Sequence, residues 1–179
     1  MGNIILIGFM GCGKTSVGIK LSYRMRQPML DTDKLIEKDE GRTISEIFET
    51  DGEPYFRDLE TKCIKKMTKT VNNHIISVGG GLPVREENHA LLKKLGCVVY
   101  LRAKAETIYE RVKHDTTRPL LQGADPQQKI RDLMEKRSGI YERAADVIID
   151  VDGKDFDTVL DEIVMKCGDW KVVSGDSKS

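Results

Sequence analysis

The segment Gly8-Phe9-Met10-Gly11-Cys12-Gly13-Lys14-Thr15 satisfies GxxxxGK[ST] and follows directly on the apolar run Ile4-Ile5-Leu6-Ile7. A strand that ends in such a loop and continues into a helix makes a cradle for phosphate. Its glycines let successive backbone N–H groups turn toward phosphate oxygens at a helix N-terminus, where the helix dipole is positive. Lys14 adds a point charge, and Thr15 a hydroxyl ligand for magnesium. The competing explanation is an accidental glycine-rich turn, which does not account for the preceding strand or the amphipathic helix that follows. The cradle leaves two points open: whether ATP or GTP is held, and whether the phosphate goes to water, a protein or a metabolite.

Apolar runs recur along the chain. Residues 3–8, 29–31, 75–78, 98–102 and 147–151 read as short strands. All but the second are apolar at consecutive positions, as strands covered on both faces are, and the segments between them carry helical spacing. That pattern predicts an α/β fold with a parallel sheet between helices. Asp125-Pro126-Gln127-Gln128 places a capping residue, an N1 proline and a glutamine in capping-box positions before a helix running towards Ala145. Glu53-Pro54 opens another helix, to about Lys69, while Gly41, Gly52, Gly96 and Gly123 mark breaks. With 179 residues the chain suits one domain. Residues 1–167 are assigned to it, and 168–179, aperiodic and rich in small polar residues, to a flexible tail.

Basic and acidic residues balance at 29 each, so no overall field favours nucleic acid or an anionic membrane. The longest apolar stretch falls far short of the ~20 residues a membrane span needs. It also begins too near Met1 for a secretory signal. A cytoplasmic protein is expected, and a monomer, because no long apolar helix face is left over. Cys12, Cys63, Cys97 and Cys167 are widely spaced without a CxxC pair, and are expected to be reduced thiols used in packing. His74, His89 and His114 show no ligand-like spacing.

The third strand is followed by Gly79-Gly80-Gly81, with no aspartate where many nucleotide hydrolases carry a metal-orienting acid. Asp31, after the second strand, is therefore the candidate to orient Mg²⁺ through water. Asp33, two residues on, shares its face in an extended backbone and is placed to address an acceptor. Either aspartate also suits a cap for a short helix from Thr32. Arg137 interrupts the inward series Ile130, Leu133, Ile140 and Ala144, and Arg57 borders the face formed by Phe56, Leu59, Cys63 and Met67. Each arginine fits either a carboxylated ligand held by a bidentate fork or a structural ion pair, with Glu60 one turn from Arg57. Arg118 lies in a polar segment bounded by Gly123 that suits a mobile lid, or a solvated loop. Arg111 suits adenine stacking, or an ordinary helix surface.

Taken in order, several segments resemble the shikimate kinase family, within the nucleoside monophosphate kinase-like group of P-loop folds. They are Gly8 to Thr15, Asp31-Thr32-Asp33, Phe56-Arg57-Asp58-Leu59-Glu60, Gly79-Gly80-Gly81, Arg118-Pro119-Leu120-Leu121, and Arg137 with Tyr141. The resemblance implies three layers around a five-stranded parallel sheet in the order 2-3-1-4-5. It further implies a lid around 112–124 and a substrate-binding segment around 32–61. ATP would be held by Gly11, Cys12, Gly13, Lys14, Thr15 and Ser16, with Arg118 closing on it and Arg111 and Lys154 as further contacts. Shikimate would be held by Asp33, Arg57, Arg137 and the run Gly79, Gly80 and Gly81, both arginines engaging its carboxylate. The implied reaction moves the γ-phosphate of MgATP to the 3-hydroxyl of shikimate, on the route to aromatic amino acids, with Asp33, Lys14 and Arg118 as catalytic groups and Thr15 and Asp31 serving the metal. Cys12 departs from the serine or alanine common at its position. The alternatives are a kinase for gluconate or a nucleoside monophosphate, or a nucleotide-dependent switch.

Overall fold

The computed structural model describes residues 2–118 and 121–168. At its centre is β1 (Asn3–Ile7), buried at every residue. On one side β1 pairs in parallel with β3 (Ile75–Ser77), which pairs with β2 (Met29–Asp31). On the other it pairs with β4 (Gly96–Arg102), which pairs with β5 (Val147–Asp150). The order is therefore β2-β3-β1-β4-β5, as the family resemblance implied. Ile5 stands opposite both Ile76 and Val98, so the register stacks apolar residues across the sheet. Burying a side chain of this size stabilises the fold by about 1.5–3 kcal/mol.

Parallel strands need crossovers, and helices supply them. The helix α1 (Lys14–Met25) packs with α7 (Phe156–Cys167), while α3 (Ile44–Thr70), α4 (Glu87–Leu95) and α6 (Pro126–Ala144) form a second contacting group. Between them run α2 (Thr32–Glu40), α5 (Ala105–Val112) and a short 3₁₀ turn, Leu82–Val84. α3 contains two helical stretches meeting at Gly52, whose φ of 82° is a conformation glycine tolerates best. The second stretch runs from Glu53-Pro54, where the sequence predicts a helix start. The segment 32–61 has its own small apolar cluster, built on Ile36, Ile47 and Phe56.

Two local expectations are corrected. At α6, Asp125 accepts from the Gln128 amide as a cap should, but the Gln128 side chain donates to Asp132 one turn on, so the reciprocal half of the capping box is not made. The four cysteines are not all free thiols: Cys97 at the start of β4 and Cys167 at the end of α7 are joined in a disulfide, Cα to Cα 6.2 Å. Their separation of 70 positions in sequence hides that proximity from any spacing rule. Cys12 and Cys63 are free. The expected tail lies almost wholly in 169–179, outside the described residues. Among the described residues no helix is long and apolar enough to cross a membrane.

Candidate active site

β1, β2 and β3 end at the same edge of the sheet, where open parallel sheets bind their ligands. There a cavity of about 770 Å³ opens over the loop between β1 and α1. The loop turns through Gly11 and Gly13, with φ of 74° and 99°, so that α1 begins at Lys14 with its N-terminus toward the cavity. Cys12, Thr15 and Ser16 line the same wall, Cys12 being buried. The Lys14 ammonium donates to the carbonyls of Gly8 and Phe9, at 2.6 and 3.2 Å, and so stays over the loop.

At the end of the cavity next to α5 and α7 the structure brings in more of the expected cations. Arg111 lines the cavity and donates to the Gly11 carbonyl at 3.1 Å while remaining exposed. Arg118 lines the cavity too, held at Nε by Asp115 at 2.8 Å and lying with Nη1 3.3 Å from the Met10 sulfur. Pro119 and Leu120 of the expected lid fall outside the described residues. Lys154 lines the cavity and pairs with Glu162 at 2.6 Å. The sequence reading missed the apolar part of this end, Val151, Phe156 and Val159. These are ordinary core and helix residues, marked only by their distance from β1 in the fold.

At the other end stand Asp31, Asp33, Gly79 and Gly80. Asp31 proves to be a cap: its Oδ1 accepts from the amides of Asp33 and Lys34, at 2.9 and 3.2 Å. β2 stops at Asp31 and Asp33 is already in the first turn of α2, so the two do not share an extended stretch as expected. They still line one wall. Burial pushes the Asp33 carboxyl up to about 6, with the Asp31 charge adding to it and Lys14 opposing. Asp33 Oδ1 is buried and without a hydrogen-bond partner.

Behind Gly79 to Gly81 lies a second cluster that does not line the cavity itself. Arg57, on α3, pairs with Glu60 at 2.5 Å and with Glu53 at 3.1 Å, so the ion-pair reading holds for it in this state. A Cβ on Gly81 would overlap the Arg57 guanidinium, which explains why glycine stands there. Arg137, half-buried on α6, has no carboxylate within ion-pair reach among the described residues and lies beside the Tyr141 hydroxyl. That hydroxyl donates to the Gly80 carbonyl at 2.6 Å. Tyr141, 1 % exposed, and not the half-buried Ile140, continues the inward stripe of α6. Glu60, which the sequence reasoning treats only as a partner of Arg57, is 1 % exposed. It lies four residues after Phe56 and seven before Met67, on the same inward face, so the reasoning that singled out Arg137 applies to it equally.

A phosphate cradle at the end of β1, a half-buried carboxylate in the same cavity and cations around both define a P-loop kinase of small molecules. A sequence profile of the shikimate kinase family matches residues 10–167, and the chain belongs to that family. It is 42% identical over 164 residues to the shikimate kinase of Caldanaerobacter subterraneus subsp. tengcongensis, covering 92% of this chain and 95% of that protein. To the shikimate kinase of Thermodesulfovibrio yellowstonii it is 44% identical over the same length, with coverage of 92% and 94%. The solved structure of the Acinetobacter baumannii shikimate kinase in complex with shikimate superposes with a TM-score of 0.85 at 36% identity, covering 92% of each chain.

Proposed function

We propose that the protein transfers the γ-phosphoryl group of MgATP to the 3-hydroxyl of shikimate, releasing ADP and shikimate 3-phosphate, as a cytoplasmic step towards aromatic amino acids. The observation that carries the mechanism is Asp33: a half-buried carboxylate whose buried Oδ1 has no hydrogen-bond partner among the described residues, in the same cavity as the cradle. The acceptor hydroxyl lies against Asp33, which orients it and takes its proton as the new O–P bond forms and the bond to the leaving ADP breaks. Lys14 exchanges its loop carbonyls for phosphate oxygens, and Arg118 offsets charge on the group in flight. Arg57 and Arg137, with Gly79, Gly80 and Gly81 as the floor between them, hold the substrate carboxylate. Arg111 and Lys154 serve the nucleotide end, beside Gly11, Cys12, Gly13 and Ser16.

The residues present fit magnesium. Thr15 offers a hydroxyl and Asp31 a carboxylate, both hard oxygen donors on the cavity wall, and Asp31 spends only Oδ1 on its cap. Thr15 would bind the ion directly and Asp31 through water. The chemistry the ion supplies when bound is neutralisation of phosphate charge.

An acceptor panel with coupled ADP detection tests the reading. Shikimate should support turnover while gluconate and nucleoside monophosphates stay at background. Equal turnover with gluconate, or with AMP, would replace this assignment with one of the two alternatives.

A further inference from the structure

Glu60 is 1 % exposed, and its two oxygens are in unlike positions. Oε1 accepts from Arg57, whereas Oε2 is buried and has no hydrogen-bond partner among the described residues. Oε2 faces Gly79, where a Cβ would lie 3.1 Å from it and 2.6 Å from Asp33 Oδ1, the second orphaned carboxylate oxygen. The two oxygens are thus no more than about 6 Å apart, with no side chain on Gly79 between them. The groups facing Glu60 are Arg57, Glu53 and Cys63 from α3, Asp33 from α2, and Arg137, beside Tyr141, from α6. The positive charge paired with Glu60 is that of Arg57, which Glu53 shares, and Arg137 acts on Glu60 from further off.

We infer that Glu60 is a proton-binding site coupled to substrate: when the substrate carboxylate engages Arg57, Glu60 takes up a proton at Oε2. The inference rests on the reading above that Arg57 holds that carboxylate. A buried carboxylate that must share its guanidinium with an incoming anion becomes an undercompensated charge, and neutralising it costs less than leaving it so. The step forms one O–H bond with a proton from solvent, and no electrons are transferred. The oxygen that takes the proton is the one facing Asp33 across Gly79, so uptake also removes a like charge beside the Asp33 carboxylate. Burial already raises the free-state carboxyl of Glu60 to about 7, only partly opposed by Arg57, so the group is poised to respond near neutrality. Glu60 is a positioning residue here, because it acts through Arg57 and Asp33.

Calorimetric titration of shikimate into the nucleotide-free protein at pH 7.5, in buffers of different ionisation enthalpy, reads the coupling directly. The slope of observed heat against buffer ionisation enthalpy should report uptake of roughly half to three-quarters of a proton per shikimate bound, because a carboxyl at about 7 is already about one-quarter protonated at pH 7.5. Glu60→Gln, which keeps an oxygen for Arg57, should bind shikimate with uptake near zero. Absence of uptake in the unaltered protein, or undiminished uptake in the variant, overturns the inference. Should the variant fail to fold, the unaltered protein still decides: uptake must shrink below pH 6, where Glu60 is already protonated, and constant uptake from pH 8 to 5.5 overturns it. Arg57→Ala separates the two levels. Unchanged shikimate affinity in that variant refutes the carboxylate assignment itself, whereas a loss of ten-fold or more with no proton uptake in the unaltered protein refutes the inference alone.

Discussion

Asp33 has to be buried and reactive at once, and burial has a thermodynamic consequence that can be measured. Its native carboxyl sits near 6 against an ordinary 3.8, so the folded state binds the proton more tightly than the unfolded chain. The associated penalty is absent below about pH 4, grows as pH rises to 6 and is fully present above it, with an upper bound of about 3 kcal/mol from the two-unit shift. Partial exposure reduces that figure. Asp33→Asn should therefore raise the melting midpoint at pH 7.5 and lose the gain at pH 4. The same variant should hold ATP within about two-fold while phosphoryl transfer drops by about a hundred-fold or more. Thermal melts at the two pH values and a coupled assay check both halves. At this scale the cradle, Asp33, Arg57 and Arg137 were legible, because glycine pattern and misplaced charge are visible in one dimension. Glu60 was only half legible: its helical position showed, but the convergence of its free oxygen with Asp33 across Gly79 depends on tertiary packing.

At the scale of elements, Gly81 leaves room for the Arg57 guanidinium of α3, and Gly80 lies against the loop after β1 and the Tyr141 hydroxyl of α6. Gly81 has ordinary αR backbone angles, so alanine there would strain nothing locally. The added methyl would instead push the Arg57 guanidinium aside. Gly81→Ala should keep its fold and its KM for ATP while KM for shikimate rises about ten-fold or more, as steady-state kinetics in both substrates would show. Arg137→Ala should weaken shikimate by a similar or larger factor and ATP by much less; equal weakening of both would remove the carboxylate clamp from the account. The strands were read with ends right to within two residues, since residues buried on both faces leave continuous apolar runs. The helix from Glu53 was read equally well, through its proline. The reading of Asp31 and Asp33 as one extended pair failed because the Asp31 cap turns the chain into α2 one residue after the strand ends.

For the molecule as a whole, β4 and α7 are tied by the Cys97–Cys167 disulfide, and α7 also carries Phe156 and Val159, which line the cavity. Closing a loop of this length restricts the unfolded chain, and the stabilisation is about 4 kcal/mol. The denatured, unreduced protein should titrate two thiols, Cys12 and Cys63, and four after reduction, and its melting midpoint should fall on reduction. Neither this tie nor the sheet order was available from local pattern. Runs and caps give elements, whereas the order 2-3-1-4-5 came from resemblance to a family, and pairing across 70 residues needed the fold.

The kinase assignment is tested most directly by measuring ADP release from MgATP with and without shikimate and identifying the product by phosphorus NMR. The account predicts release that depends on shikimate, with one phosphate ester at its 3-hydroxyl formed for each ADP. ADP release at the same rate without shikimate, or with inorganic phosphate as the product, would contradict it.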